Sequence, residues 1–118
     1  MSAGAQEMAG TEAVHVVLVT APDSKVAAEL ARRLVEEGLA ACVNLVPGVR
    51  SIYRWQGALQ EDAEILLIAK TRAALVDALA ARVRALHPYE LPEVIALAVA
   101  AGSEPYLDWV RATAEQRT

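Results

Sequence analysis

From Ala40 to Gln56 the chain reads as one extended run, broken only at Pro47-Gly48, and few small folds can house it. Ala40 to Val46 is a mostly apolar strand. Pro47-Gly48 reads as a kink or bulge rather than a full turn, and the strand resumes from Val49 to Gln56. Side chains alternate across a strand. Val49, Ser51, Tyr53 and Trp55 therefore share one face, and Arg50, Ile52 and Arg54 the other. Gln56-Gly57 marks a hairpin turn, and the return strand runs from about Leu59 to Lys70, with Glu61, Asp62 and Glu64 near its start. A chain of 118 residues has room for one domain. So long a hairpin must project from it. An exposed apolar strand is an aggregation hazard unless covered, and a second copy of the chain is the simplest cover. The expectation is a homo-oligomer joined partly through strand edges.

The rest of the pattern places this hairpin in a plan. Val14 to Val19 is a β-branched run with apolar residues on both faces, as in a central strand. Pro22-Asp23 is helix-entry chemistry with Asp23 as cap. Val26, Ala27, Leu30, Ala31, Leu34 and Val35 follow at helical spacing, and Gly38 closes the helix. After the hairpin, Thr71 is expected to cap a second helix with a Leu75, Leu79, Val83 and Leu86 stripe, which stops at His87-Pro88. Val94 to Val99 is the last strand, and Ser103 with Pro105 opens a third helix. Strand, helix, strand, strand, helix, strand is the ferredoxin-like βαββαβ arrangement, an α/β (α+β) class, here with a long antiparallel hairpin and an extra C-terminal helix. Residues 13–118 are expected to form a single domain and residues 1–12, rich in small and acidic residues, a disordered tail.

Composition narrows the function classes. Hydrophobic residues make up 55% and charged residues 22%, enough for a real core. Aromatics are only 4%, with no Phe, so Val, Leu, Ile and Ala must build it. Net charge is −4 with scattered basic residues, which speaks against nucleic acid and against an anionic membrane surface. No apolar run approaches the ~20 residues of a membrane span, and the start does not read as a secretory signal. The single cysteine, Cys42, permits no intrachain disulfide. A cytoplasmic protein is expected.

The densest cluster of functional groups is His87-Pro88-Tyr89-Glu90-Leu91-Pro92-Glu93, in a helix-to-strand loop. His87 with Glu90 is a candidate metal pair; the alternative is a Pro-braced connector. No Cys-x-x-Cys or His-x-x-x-His spacing supports a closed zinc site. There is no nucleophile elbow and no Gly-rich phosphate loop. Lys70 could bind an anion at the end of its strand, or simply reach solvent. No catalytic residue is assigned, and the protein is not expected to be an enzyme.

Thr20-Ala21-Pro22-Asp23, Leu39-Ala40-Ala41-Cys42-Val43-Asn44, Ser51 to Gly57, Lys70-Thr71, His87 to Glu93 and Tyr106-Leu107-Asp108-Trp109 together resemble the CutA family of divalent-cation tolerance proteins. The likeness runs from about Val14 to Val110. It implies a ferredoxin-like homotrimer in which one subunit's hairpin extends the next subunit's sheet. It also implies structural kinship with the PII signalling proteins, which bind small molecules between subunits. It links the chain to the response to metal ions and to copper binding. Members argued to bind copper carry a Cys and a His where this chain has Val19 and Leu86, so only His87 carries over. Two readings follow. One is a trimer that binds copper or a similar divalent metal weakly through His87 and Glu90. The other is a PII-like sensor or interaction scaffold that takes a small anionic molecule in clefts between subunits. There Trp55 and Tyr89 would stack, Lys70 would supply charge, and Glu93 would accept a hydrogen bond.

Overall fold

The computed structural model describes residues 12–117. Strand β1 (Val14–Ala21) leads to helix α1 (Ser24–Glu36), then to β2 (Cys42–Trp55) and β3 (Ala58–Arg72). A 3-10 turn (Ala73–Leu75) enters α2 (Val76–Leu86), and β4 (Val94–Ala98) and α3 (Glu104–Thr113) complete the chain. One antiparallel sheet has the order β2-β3-β1-β4. This is the ferredoxin-like βαββαβ fold.

The two crossover helices take one face of the sheet. Val17, Val19 and Ala21 of β1 and Leu67 and Ala69 of β3 point there, and pack with Leu30, Leu34, Leu79 and Val83 of the helices. Leu30, Leu34, Leu67 and Leu79 are essentially fully buried. Each removes enough apolar area to contribute ~2–3 kcal/mol against the unfolded chain. Asp23 caps α1 as expected, accepting from the Val26 N–H at 2.8 Å. Gly38 ends it with φ +74°, and a Cβ there would sit 1.7 Å from the Glu115 carbonyl oxygen. The C-terminal segment can lie against α1 only because that residue has no side chain.

The opposite face is covered at its two ends, by the 87–93 loop over Thr20 and Glu64 and by α3 at the other. At the α3 end Leu107 and Val110 pack against Val14 and Ala41. Along the remainder, Val16 and Leu18 are half-buried, and Ile95 and Leu97 beside them are 50% and 51% exposed.

The hairpin is the long feature that the sequence demanded. Its register runs unbroken to Trp55↔Ala58 apart from a shift between Val46 and Val49, where Pro47-Gly48 bulges out. Gln56 (φ 49°) and Gly57 (φ 80°) close it in a two-residue turn. Positive φ at both positions is the I′ geometry that matches strand twist. The arm accounts for a molecule measuring 56 × 29 × 23 Å.

Two local expectations are corrected. Thr71 caps no helix. It lies inside β3, paired with His15, and its buried hydroxyl donates to the Leu39 carbonyl at 2.8 Å. A β-branched residue suits the strand, and α2 starts later, without a side-chain cap. Ser103 does occupy the N-cap position of α3, but makes no side-chain cap bond. The expected tail lies outside the described residues except for Glu12, whose carboxylate accepts from the Ala74 N–H at 2.8 Å and pairs with Arg72.

Candidate ligand cleft

Where β1 ends at Ala21, β3 continues toward the hairpin tip, and the 87–93 loop lies alongside that continuation. Between the loop and the arm opens a cavity of about 750 Å³. Its arm wall is one face of the hairpin. The register sets Ser51 opposite Asp62, and Tyr53 and Trp55 lie further out on the same side; Glu64, opposite Val49, forms the floor. Its loop wall is Tyr89, Glu90, Leu91, Pro92 and Glu93.

His87 fixes the loop. It is buried, and its Nε2 bonds the Thr20 carbonyl oxygen at 2.7 Å while its Nδ1 accepts from the Tyr89 N–H at 3.1 Å. An acceptor at Nδ1 and a carbonyl at Nε2 together specify a neutral ring with the proton on Nε2. The imidazole also lies 4.6 Å from the Tyr89 ring, centroid to centroid. Tyr89 is thereby aimed at β3, where its hydroxyl donates to Glu64 Oε2 at 2.8 Å. Burial, reinforced by the Glu64 carboxylate, pushes the Tyr89 phenol far above its ordinary value. Across the cleft Tyr53 donates to Asp62, and that bond raises its phenol as well. Both phenols stay neutral donors through the physiological range.

The cleft gathers three of the four residues expected to bind a ligand, Trp55, Tyr89 and Glu93, and adds Glu90. Lys70 lies apart from this cavity of the single chain. It sits between Val16 and Cys42 in the body of the sheet, roughly 20 Å along β3 from Glu64 at the usual strand rise. No lysine or arginine lines the cavity; Asp62, Glu64, Glu90 and Glu93 do. Its charge is opposite to that of an anion site. His87 and Glu90 form no preassembled metal pair in the single chain. Both ring nitrogens of His87 are engaged by backbone, and no three His, Cys, Asp or Glu side chains converge on a metal position among the described residues. Cys42, the soft donor, lies instead 3.4 Å from the Tyr106 hydroxyl. A preformed copper centre does not fit this donor set. The sequence reading missed Asp62, Glu64 and Tyr53 as cleft residues. The acidic residues entering an otherwise apolar strand were the available signal.

Comparison with known proteins places this geometry. Residues 15–113 match the family described as CutA1 divalent ion tolerance protein. The chain belongs to the CutA family. The divalent-cation tolerance protein CutA of Thermus thermophilus is 56% identical over 97 residues, covering 82% of this chain and 94% of that one. Human protein CutA is 54% identical over 102 residues, covering 86% of this chain but only 57% of its own length. Among solved structures, CutA1 of Thermus thermophilus superposes with TM-score 0.84 at 53% identity, covering 86% of this chain and 99% of that one. CutA1 of Oryza sativa gives 0.86 at 47%, covering 90% and 97%. CutA relatives carry names from different compartments, chloroplastic in Arabidopsis thaliana and periplasmic in Archaeoglobus fulgidus. No helix among the described residues is long and apolar enough to cross a membrane.

Proposed function

We propose that this CutA protein is a non-catalytic cytoplasmic homotrimer that serves divalent-cation tolerance by recognising a small molecule in the cleft at the base of its arm. The cleft itself carries the reading: an apolar and aromatic cavity with a few polar groups is the usual form of a ligand site, and here a buried histidine braces its wall. The half-covered sheet face and the apolar arm support self-association. Ile52 and Leu59 are 63% and 71% exposed in the single chain, more apolar surface than a stable monomer usually leaves in water. Tolerance then works through the ligand state of the assembly rather than through a built copper centre.

Thermal-shift screening of metabolites against wild type and Trp55→Ala tests this, since a ligand of the native state must stabilise it. Stabilising compounds that lose their effect in Trp55→Ala are expected. A screen in which no compound discriminates the two proteins would overturn the reading.

Weak binding of a divalent cation is the second reading, favoured by the four carboxylates around one cavity. Oxygen donors of this kind suit hard cations better than copper. Calorimetric titration of Cu(II) and Zn(II) should give equal heats in wild type and a folded His87→Ala variant. A heat lost with the imidazole would restore His87 as a ligand.

A further inference from the structure

We infer that the cleft selects an organic cation, an ammonium or guanidinium group held against aromatic faces and countered by buried carboxylate; this rests on the cleft being the ligand site and adds the sign of its ligand. Three independent observations converge. Tyr53, Trp55 and Tyr89 supply π-faces around one cavity, and an aromatic face attracts cations through its quadrupole, most strongly when water is excluded. Every charged side chain lining that cavity is acidic. Finally, Glu64 is only 7% exposed, and no Lys, Arg or His lies within ion-pair distance of it among the described residues.

Glu64 is the decisive residue. Its Oε2 accepts from Tyr89, while its other oxygen, with no protein partner among the described residues, is left open to the cavity. A buried carboxylate is costly unless a positive charge or several donors compensate it. The cleft supplies one neutral donor and opens to the outside beside it. A cation entering between Tyr53, whose hydroxyl reaches Asp62, and Tyr89 provides that charge.

An anion would meet four carboxylates there, and a purely apolar ligand would leave Glu64 without its counter-charge. A hydrated metal ion would make no use of the aromatic walls.

The same chemistry has two sources, a free small molecule or an arginine from the arm of a second copy. Arg54 is exposed near the hairpin tip, where its guanidinium reaches only the Gly57 carbonyl at 3.3 Å.

The test is calorimetric titration of the full chain with tetramethylammonium, with tert-butanol as a similarly compact uncharged probe, and with sulfate as the anion. Tetramethylammonium is expected to bind at least about tenfold more tightly than tert-butanol, the scale of a desolvated cation–π contact. Glu64→Gln and Tyr53→Leu should each weaken it by about tenfold, with circular dichroism confirming the fold. If wild type is silent but Arg54→Ser binds tetramethylammonium, the occupant is the neighbouring arm and the cation preference stands. Equal binding of tert-butanol, or preference for sulfate, that is lost in Tyr53→Leu would overturn the cation preference while leaving the cleft as a ligand site. Silence of all three probes in both proteins overturns the inference and counts against the cleft itself.

Discussion

The two halves of β3 are one continuous strand in two environments. From Ile65 to Thr71 every second side chain enters the helix-covered core, with Leu67, Ala69 and Thr71 fully buried. From Ala58 to Ala63 the strand pairs only with β2, and its side chains are exposed apart from the partly covered Gln60. The body half owes its order to layered packing. The arm half has ladder hydrogen bonds, cross-strand pairs and whatever docks on it. An isolated two-stranded ribbon is marginal in water, so this half is where association and ligand binding can have leverage.

The contrast can be broken most directly on two leucines of the same strand. Leu67→Ala should cost about 2–5 kcal/mol of unfolding free energy in denaturant titration, as deletion of a fully buried leucine does. Leu59→Ala should stay within ~0.5 kcal/mol when the protein is dilute and dissociated. A larger, concentration-dependent loss at Leu59 would show the arm covered by a neighbouring copy. Next in size is Trp55→Asp. A charge in place of an aromatic at the arm should lower the association state seen by light scattering at micromolar concentration. An unchanged mass would remove this residue from any interface.

The smallest effect belongs to the body. Arg82 bonds Glu37 at 2.8 Å and, with help from Arg33, holds that carboxyl below its ordinary value. A lowered folded-state value means that the contribution is present above the unfolded carboxylate range, near pH ~4.3, and is lost as pH falls through the lower folded value. Glu37→Gln should therefore flatten the fall in Tm between neutral and strongly acidic solution by no more than a few degrees. An identical acid profile in both proteins would assign that fall to other carboxylates.

Element order was legible because each element carries its own period and punctuation. Asp23, Gly38, Pro47-Gly48 and His87-Pro88 all stand where a boundary or irregularity occurs. Thr71 was misplaced because a strand end and a helix cap favour overlapping residue types, and only pairing with His15 decides between them. The cleft was half legible. Tyr89 and Glu93 lie in a dense loop, and Trp55 on a patterned strand. Their meeting with Glu64 depends on strand register, which no local period reveals. Lys70 stands apart from them within the chain for the converse reason: it shares a face with Glu64, but sequence pattern reports sidedness and not distance.

One unpaired step in β2 has a further consequence. Before Pro47-Gly48 the even-numbered residues of this strand lie on the side of the cleft; beyond it the odd-numbered ones do. Ironing the step flat at constant chain length would turn the arm over, retiring Ser51, Tyr53 and Trp55 and presenting Arg50, Ile52 and Arg54 in their place. Slippage by a single position would thus exchange an aromatic wall for a basic, aliphatic one without changing one letter of the arm.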